Sequence, residues 1–145
     1  MGNQAEATGT NSSAYGQSAK ATNQGTIAVG AYSSANEQFA IAIGAEANAS
    51  NDTALAIGRD AKASGEFTIS IGSNSNAIDQ GAQAFGTSAT ATGWNSMAYG
   101  QHSVAAGNEA IAIGNASNAS RFTAIAVGPN ARSTGQAALA VGQHA

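Results

Sequence analysis

The sequence of 145 residues lacks cysteine, and it contains a single proline, two leucines and few charged side chains. Without cysteine it has no disulfide framework, no thiolate nucleophile and no Cys-type zinc site. Charged residues make up 9% of the chain, with five basic residues and a net charge of −3. So few cations exclude the electrostatic footprint of a nucleic-acid-binding protein or a polybasic membrane patch. No apolar run is long enough to predict a transmembrane helix.

Large apolar residues are also scarce. Leu, Ile, Val and Phe together account for 20 residues, whereas alanine alone accounts for 36. A conventional globular core is therefore not expected. Disorder normally combines such scarcity with a high net charge, which this chain does not have. The composition leaves two interpretations, a low-complexity tail or a repeat with a thin core of small residues.

The order of the residues decides for a repeat. Glycine occupies every fourteenth position from Gly2 to Gly142, with no insertion or deletion. If each unit is numbered from one to fourteen and ends on this glycine, ten units run from residues 3–16 to 129–142. Such strict periodicity is the signature of a solenoid or a related array.

Aligning the units gives fourteen columns with different chemical character. Columns 3, 5, 10 and 12 hold only small residues, and most of the large apolar residues fall in columns 11 and 13. All 13 charged residues fall in columns 1, 2, 4, 7, 8 and 9. Because burial of an unpaired charge is costly, we predict that the eight charge-free columns are buried or tightly packed.

Two segments of each unit have the period-two alternation of β-strands. Columns 10–14, for example residues 40–44, alternate small and large apolar residues and predict a strand covered on both faces. Columns 2–6 alternate small and polar residues and predict a strand with one solvent-exposed face. Two strands per 14 residues predict a parallel β-solenoid, a flattened two-sheet roll of ten coils about 50 Å long.

The alternation does not say which side chains point into the roll. We place columns 11 and 13 inside, opposite the alanines, so that columns 10 and 12 (including Ala112) face outward. The opposite assignment fits the alternation equally well. Either way, one outer face of the roll is apolar and uncharged in all ten units. A monomer rarely exposes such a strip, and we expect copies of the chain to bury it in a cyclic homo-oligomer.

The units resemble a known family of repeats. Residues 54–65 and 109–120 are similar to the head repeats of YadA-like trimeric autotransporter adhesins, whose motif is close to Asn-Ser-Val-Ala-Ile-Gly-x-x-Ser-x-Ala, and residues 95–100 are the nearest match to its start. The resemblance covers residues 3–145. It implies an all-β, left-handed parallel β-roll that assembles as a homotrimer.

The resemblance also implies a function. It suggests a virulence-related adhesin on a Gram-negative cell surface, held at the outer membrane in the full-length protein, with host extracellular matrix proteins or cell-surface receptors as partners. The stalk, the membrane anchor and the signal peptide of such proteins do not occur within this sequence. We therefore expect residues 1–145 to form a single soluble head domain. No enzymatic activity and no cofactor are expected.

Exposed aromatic residues are the main candidates for a binding site, because aromatic side chains are typical interface anchors. Four of them lie in columns 8 and 9, in the turn before the strand of columns 10–14. Two further candidates lie in columns 2 and 7. All six are predicted to contact either a ligand or a neighbouring subunit: Phe39, Phe67, Trp94, Phe122, Tyr32 and Arg121.

No catalytic or metal site is predicted. The two histidines, His102 and His144, lie in column 2 but three coils apart, at roughly 14 Å, which is too far for a shared metal ion. The eight acidic residues do not share a column. Calcium-binding rolls need Gly-Gly-x-Gly-x-Asp repeats, which do not occur here. The period of 14 does not fit hexapeptide acyltransferases, and the scattered threonines do not fit ice-binding solenoids.

Two functions remain open at this point. The first is an adhesive head that binds host molecules through its polar outer columns, with several copies providing avidity. The second is a structural spacer of a surface or phage fibre that has no ligand of its own.

Overall fold

The computed structural model describes residues 2–145, of which residues 3–142 form ten stacked coils of 14 residues. Each coil contains one strand of two residues and one strand of three. The two-residue strands are Glu6–Ala7 (β1), Lys20–Ala21 (β3), Ser34–Ala35 (β5), Asn48–Ala49 (β7), Lys62–Ala63 (β9), Asn76–Ala77 (β11), Thr90–Ala91 (β13), Val104–Ala105 (β15), Asn118–Ala119 (β17) and Arg132–Ser133 (β19). The three-residue strands are Ser13–Tyr15 (β2), Ile27–Val29 (β4), Ile41–Ile43 (β6), Leu55–Ile57 (β8), Ile69–Ile71 (β10), Gln83–Phe85 (β12), Met97–Tyr99 (β14), Ile111–Ile113 (β16), Ile125–Val127 (β18) and Leu139–Val141 (β20).

The strands form two parallel sheets, one of the odd-numbered and one of the even-numbered strands. Every strand up to β18 pairs with the strand 14 residues further on, as Ile41 does with Leu55. Residues of the same column therefore stack on one another along the rod. The predicted parallel β-solenoid of about ten coils is confirmed, although its strands occupy only columns 4–5 and 11–13.

The period of 14 is enforced where the invariant glycines stack. Gly86 has φ +133°, and a Cβ on it would lie 2.7 Å from the backbone of Gly100 in the next coil. A side chain here would meet both an unfavourable backbone conformation and a clash with main-chain atoms. Glycine is thus required at this corner of every coil.

The interior of the roll consists of small residues from both sheets. Columns 3, 5, 10 and 12 point inward, and from Ala19 to Ser133 nearly all of these side chains have no exposed surface. Many of the buried hydroxyls donate to a carbonyl three residues earlier, as Ser33 Oγ does to the Gly30 oxygen at 2.9 Å. Local hydrogen bonds of this kind offset the cost of burying a polar group.

The space between the two sheets is narrow. The hydroxyl groups of Ser70 and Ser75 meet across it at 2.8 Å. Ser133 Oγ likewise donates to the carbonyl oxygen of Ala138 on the other side of the coil, also at 2.8 Å. A side chain with one atom beyond Cβ is therefore long enough to span the interior, and a leucine or isoleucine does not fit there.

The placement of columns 11 and 13 inside the roll is therefore wrong. Their side chains face outward from the even-numbered sheet, and the alanines of columns 10 and 12 face inward because only small residues fit between the sheets. Ala112 is completely buried inside its own chain. The prediction that every charge-free column is buried or tightly packed also fails for columns 6, 11 and 13, which are partly exposed in the single chain.

The narrow interior predicts a strong effect of enlarging an inward alanine. Ala56→Leu, in β8, adds three carbon atoms to a fully buried position. We expect a loss in the free energy of unfolding of at least about 2 kcal/mol, because overpacking forces the sheets apart. Thermal denaturation followed by circular dichroism measures this loss. The matched control Ala45→Leu, at an exposed turn position, should change stability by less than about 0.5 kcal/mol. Equal effects of the two variants would contradict the narrow interior.

Candidate functional site

The outward side chains of the three-residue strands form a continuous surface that we call the apolar stripe. It comprises columns 11 and 13 from β2 to β20, and all its residues except Ser13 and Gln83 are large apolar or aromatic residues. It carries no charge along its length of about 43 Å. Exposure within the stripe is 44% at Ile113 and reaches 68% at Leu139 in the last coil. So long an uncharged apolar surface is unusual for a monomer.

The polar side chain in the middle of the stripe, Gln83, has a hydrogen-bond partner within the stripe. The rings of Phe85 and Tyr99 stack in adjacent coils, with centroids 4.6 Å apart. The Tyr99 hydroxyl donates to Gln83 Oε1 at 2.7 Å. The polar groups of Tyr99 and Gln83 are thereby paired with each other within the stripe.

A second surface lies along one edge of the roll. Columns 7–9 form the turn from each two-residue strand to the following three-residue strand, and we call this surface the aromatic edge. Four of the predicted site residues are brought together here, each about half exposed: Phe39, Phe67, Trp94 and Phe122. The predicted Arg121 lies beside Phe122 on the same edge.

Column 9 of the aromatic edge adopts the left-handed backbone conformation in every coil. Glycine or asparagine suits this conformation best, and Gly25, Gly81 and Asn95 occur in this column. Phe39 and Phe67 adopt it too, with φ of 57° and 58°. A bulky residue in this conformation costs about 1 kcal/mol or more, and the turn imposes the conformation whatever residue occupies the position.

Neighbouring coils hold two of the rings in place. The Phe39 ring lies over Gly25, where a Cβ would approach the ring to 2.7 Å. Trp94 Nε1 donates to Gln80 Oε1 at 3.4 Å, and Gln80 Nε2 donates to Glu66 Oε2 at 3.1 Å. Sequence reasoning missed Gly25, Gln80 and Glu66, although each lies in the same column as its partner one coil away.

The charges on the aromatic edge are mostly of one sign. Arg121 is the sole cation in columns 7–9 of the described residues, whereas five acidic residues share these columns: Glu37, Asp52, Glu66, Asp79 and Glu109. The cations lie elsewhere. Lys20, Lys62 and Arg132 lie in column 4, on the outer face of the odd-numbered sheet.

Tyr32 does not join the other aromatic residues. It lies in column 2, on the opposite edge of the roll, where Gln17 Nε2 donates to its hydroxyl at 3.1 Å. Together with Lys20 and Glu6 it lines a shallow, open depression. The predicted site residues therefore fall on two separate surfaces.

The described residues, 2–145, contain no cluster of three or more acidic or histidine side chains arranged to hold a metal ion. Within the same residues, no helix is long and apolar enough to cross a membrane. Arg59 and Asp60 form an exposed ion pair at 3.3 Å. Exposed pairs of this kind contribute little to stability, and nothing around this pair suggests a reaction centre.

The fold and its surfaces define a class of protein, a parallel β-roll that buries only small residues and presents an uncharged apolar face. The model of the YadA head domain repeat matches residues 1–19, 21–47, 49–75, 80–96, 84–110 and 122–145. These segments cover most of the chain. The chain therefore belongs to the YadA head repeat family.

A solved structure supports the same assignment. The crystal structure of the collagen-binding domain of the Yersinia adhesin YadA is similar to this chain, with a TM-score of 0.66 and 27% sequence identity. The alignment covers 95% of this chain and 69% of that one. The search of curated proteins gave no significant match.

Because column 9 has a left-handed backbone conformation, we predict that its aromatic residues do not stabilise the fold. Phe67→Asn places in this column a residue that already occurs there at Asn11 and Asn95. We expect the free energy of unfolding, measured by denaturant titration at a fixed protein concentration, to stay the same or to rise by up to about 1 kcal/mol. Ala77→Asn, at a buried position, should be strongly destabilising in the same assay. A loss of more than about 1 kcal/mol in Phe67→Asn would mean that the ring is a packing anchor.

Proposed function

We propose that this chain is the head of a bacterial surface adhesin, which attaches the cell to host extracellular matrix or cell-surface molecules. The observation that carries the proposal is the YadA-type repeat, which continues through all ten coils. The related Yersinia domain is named for binding collagen, so collagen is the first matrix protein to test.

The proposal includes a homotrimer. Three rods aligned side by side would bury the apolar stripe of each chain against its copies around a common axis. A stripe with the same character in every coil suits such an arrangement, because the same contact repeats along the whole rod. Burial of apolar surface along the 43 Å of the stripe would favour association, at about 25 cal/mol per Å² of surface removed from water.

Trimerisation also leaves polar surface available for attachment. With the stripe at the axis, column 4 and its cations Lys20, Lys62 and Arg132 would face away from it. Each contact with a matrix protein is expected to be weak, because the polar side chains of the outer columns differ from coil to coil and do not repeat one contact along the rod. Three chains per head and many heads per cell would then supply the avidity.

The same class of rod would also serve as a spacer that binds nothing. The spacer keeps the trimer but has no use for a ligand-binding surface. Both functions require a trimer, so only a binding experiment can distinguish an adhesive head from a spacer.

The test combines assembly with binding. The wild-type chain at micromolar concentration should give a mass three times its 14.1 kDa by light scattering, and it should bind immobilised collagen, fibronectin or laminin saturably. Ile113→Glu should dissociate the trimer, because it places three carboxylates in the apolar interface. The dissociated chain should bind the same surface at least about tenfold more weakly, through loss of avidity.

Ile78→Glu is the matched control for this variant. Ile78 is 40% exposed, close to the 44% of Ile113, but it lies in column 6, outside the apolar stripe. It should remain trimeric and keep its affinity. A monomeric wild type, or a trimeric Ile113→Glu, would refute burial of the stripe. A wild-type trimer without saturable binding to matrix proteins or cells would favour the spacer.

A further inference from the structure

The aromatic edge carries one ring in every second coil. The four rings belong to coils three, five, seven and nine: Phe39, Phe67, Trp94 and Phe122. Coils along the rod are about 4.8 Å apart, so the rings follow one another at intervals of about 9.6 Å. The first two rings share column 9 and the last two share column 8, which shifts the row sideways by one residue at its middle.

This spacing matches a repeat found in extended polypeptides. A polyproline II helix has three residues per turn and rises about 3.1 Å per residue, so it presents the same face every 9.3 Å or so. Over the three intervals between the four rings, the two repeats drift apart by only about 1 Å.

We propose that the aromatic edge is a binding site for a single polypeptide strand in the polyproline II conformation, which lies parallel to the rod and places one proline on each ring. Aromatic side chains with exposed faces are the usual means of binding proline-rich segments in this conformation. Each ring is about half exposed, with 43% exposure at Trp94 and 56% at Phe67. The site is separate from the matrix attachment proposed above, and a head that binds no matrix protein can still contain it.

The charges on the edge specify the ligand further. Two residues of each polyproline II turn point away from the rings, about 120° to either side, because the helix has three residues per turn. Those side chains pass along the acidic residues that flank the rings, including Glu37, Glu66 and Asp79. The proposed ligand is therefore basic, with lysine or arginine at one position of each proline-containing triplet.

The rings are held in place before any ligand binds. Gly25 leaves space for the Phe39 ring to lie across its coil. The hydrogen bonds from Trp94 to Gln80 and from Gln80 to Glu66 fix the indole over the preceding coil. Rings that are already ordered lose little entropy on binding, and a polyproline II strand is itself stiff.

The period can be tested without altering the composition. The double variant Phe67→Thr, Thr53→Phe moves one ring by one coil and breaks the two-coil spacing. Both positions have the left-handed backbone, with φ of 58° and 54°, so the exchange leaves the backbone demands of the turn unchanged. Tyr32→Thr is the matched control, since it removes an aromatic ring from a left-handed position, with φ of 59°, on the opposite edge of the roll.

The probe is a fluorescently labelled peptide of five Pro-Pro-Lys triplets, and its binding to the assembled wild-type head is followed by fluorescence anisotropy. We expect saturable binding, a loss of affinity of about tenfold in the exchanged variant and a change of less than about threefold in Tyr32→Thr. A peptide of five Gly-Ser-Lys triplets has the same charge but no polyproline II preference, and it should bind at least about tenfold more weakly. If the exchanged variant does not fold, Phe67→Asn replaces it with the same expectation.

Three outcomes would overturn the proposal. Equal affinity of the exchanged variant and the wild type would show that the spacing of the rings is irrelevant. Equal affinity of the two peptides would reduce the site to charge attraction alone. A changed mass of the exchanged variant by light scattering would mean that the rings are contacts between subunits.

Discussion

The narrow gap between the two sheets is the constraint on which the rest of the structure depends. A gap that the hydroxyls of Ser70 and Ser75 bridge at 2.8 Å admits only glycine, alanine, serine and threonine. The sequence meets this condition in all ten coils, which explains why alanine is so abundant. The invariant glycine serves the same close approach along the rod, where the backbone of one coil rests on that of the next.

The consequence of so thin an interior is that the large apolar residues lie outside it. A single chain therefore buries mainly alanine and leaves isoleucines such as Ile43 and Ile113 partly exposed to water. Burial of these residues between copies of the chain would supply the apolar contacts that the interior of one chain cannot provide. The thin interior of the fold thus leaves the apolar residues that assembly would bury, and the polar edges remain available for contacts with other molecules.

Much of the fold could be predicted from the sequence, because glycine at every fourteenth position and period-two alternation translate directly into coils and strands. The direction of the side chains could not. Alternation shows that columns 11 and 12 face opposite ways, but it does not show which of the two columns points into the roll. The signal that the prediction overlooked was the presence of four small columns, two in each half of the coil, which only a thin interior uses.

The candidate site was predicted in part for a similar reason. Membership of the columns placed Phe39, Phe67, Trp94 and Phe122 on one turn, but Tyr32 belongs to the other edge. The left-handed backbone at Phe67 had only a weak signal in the sequence: Gly25, Gly81 and Asn95 in the same column suit this conformation, but other coils fill the position with residues as different as threonine and glutamate.

Because the chain contains no cysteine, single cysteines can report directly on which column faces a second copy. Ile113→Cys and Ala112→Cys place a thiol at adjacent positions of β16, on opposite faces of one strand. The most direct measurement is the fraction of each variant that forms disulfide-linked dimers under mild oxidation in the native state. Burial of the apolar stripe between copies of the chain predicts extensive cross-linking of Ile113→Cys and almost none of Ala112→Cys. Cross-linking of Ala112→Cys, with Ile113→Cys remaining unlinked, would contradict it.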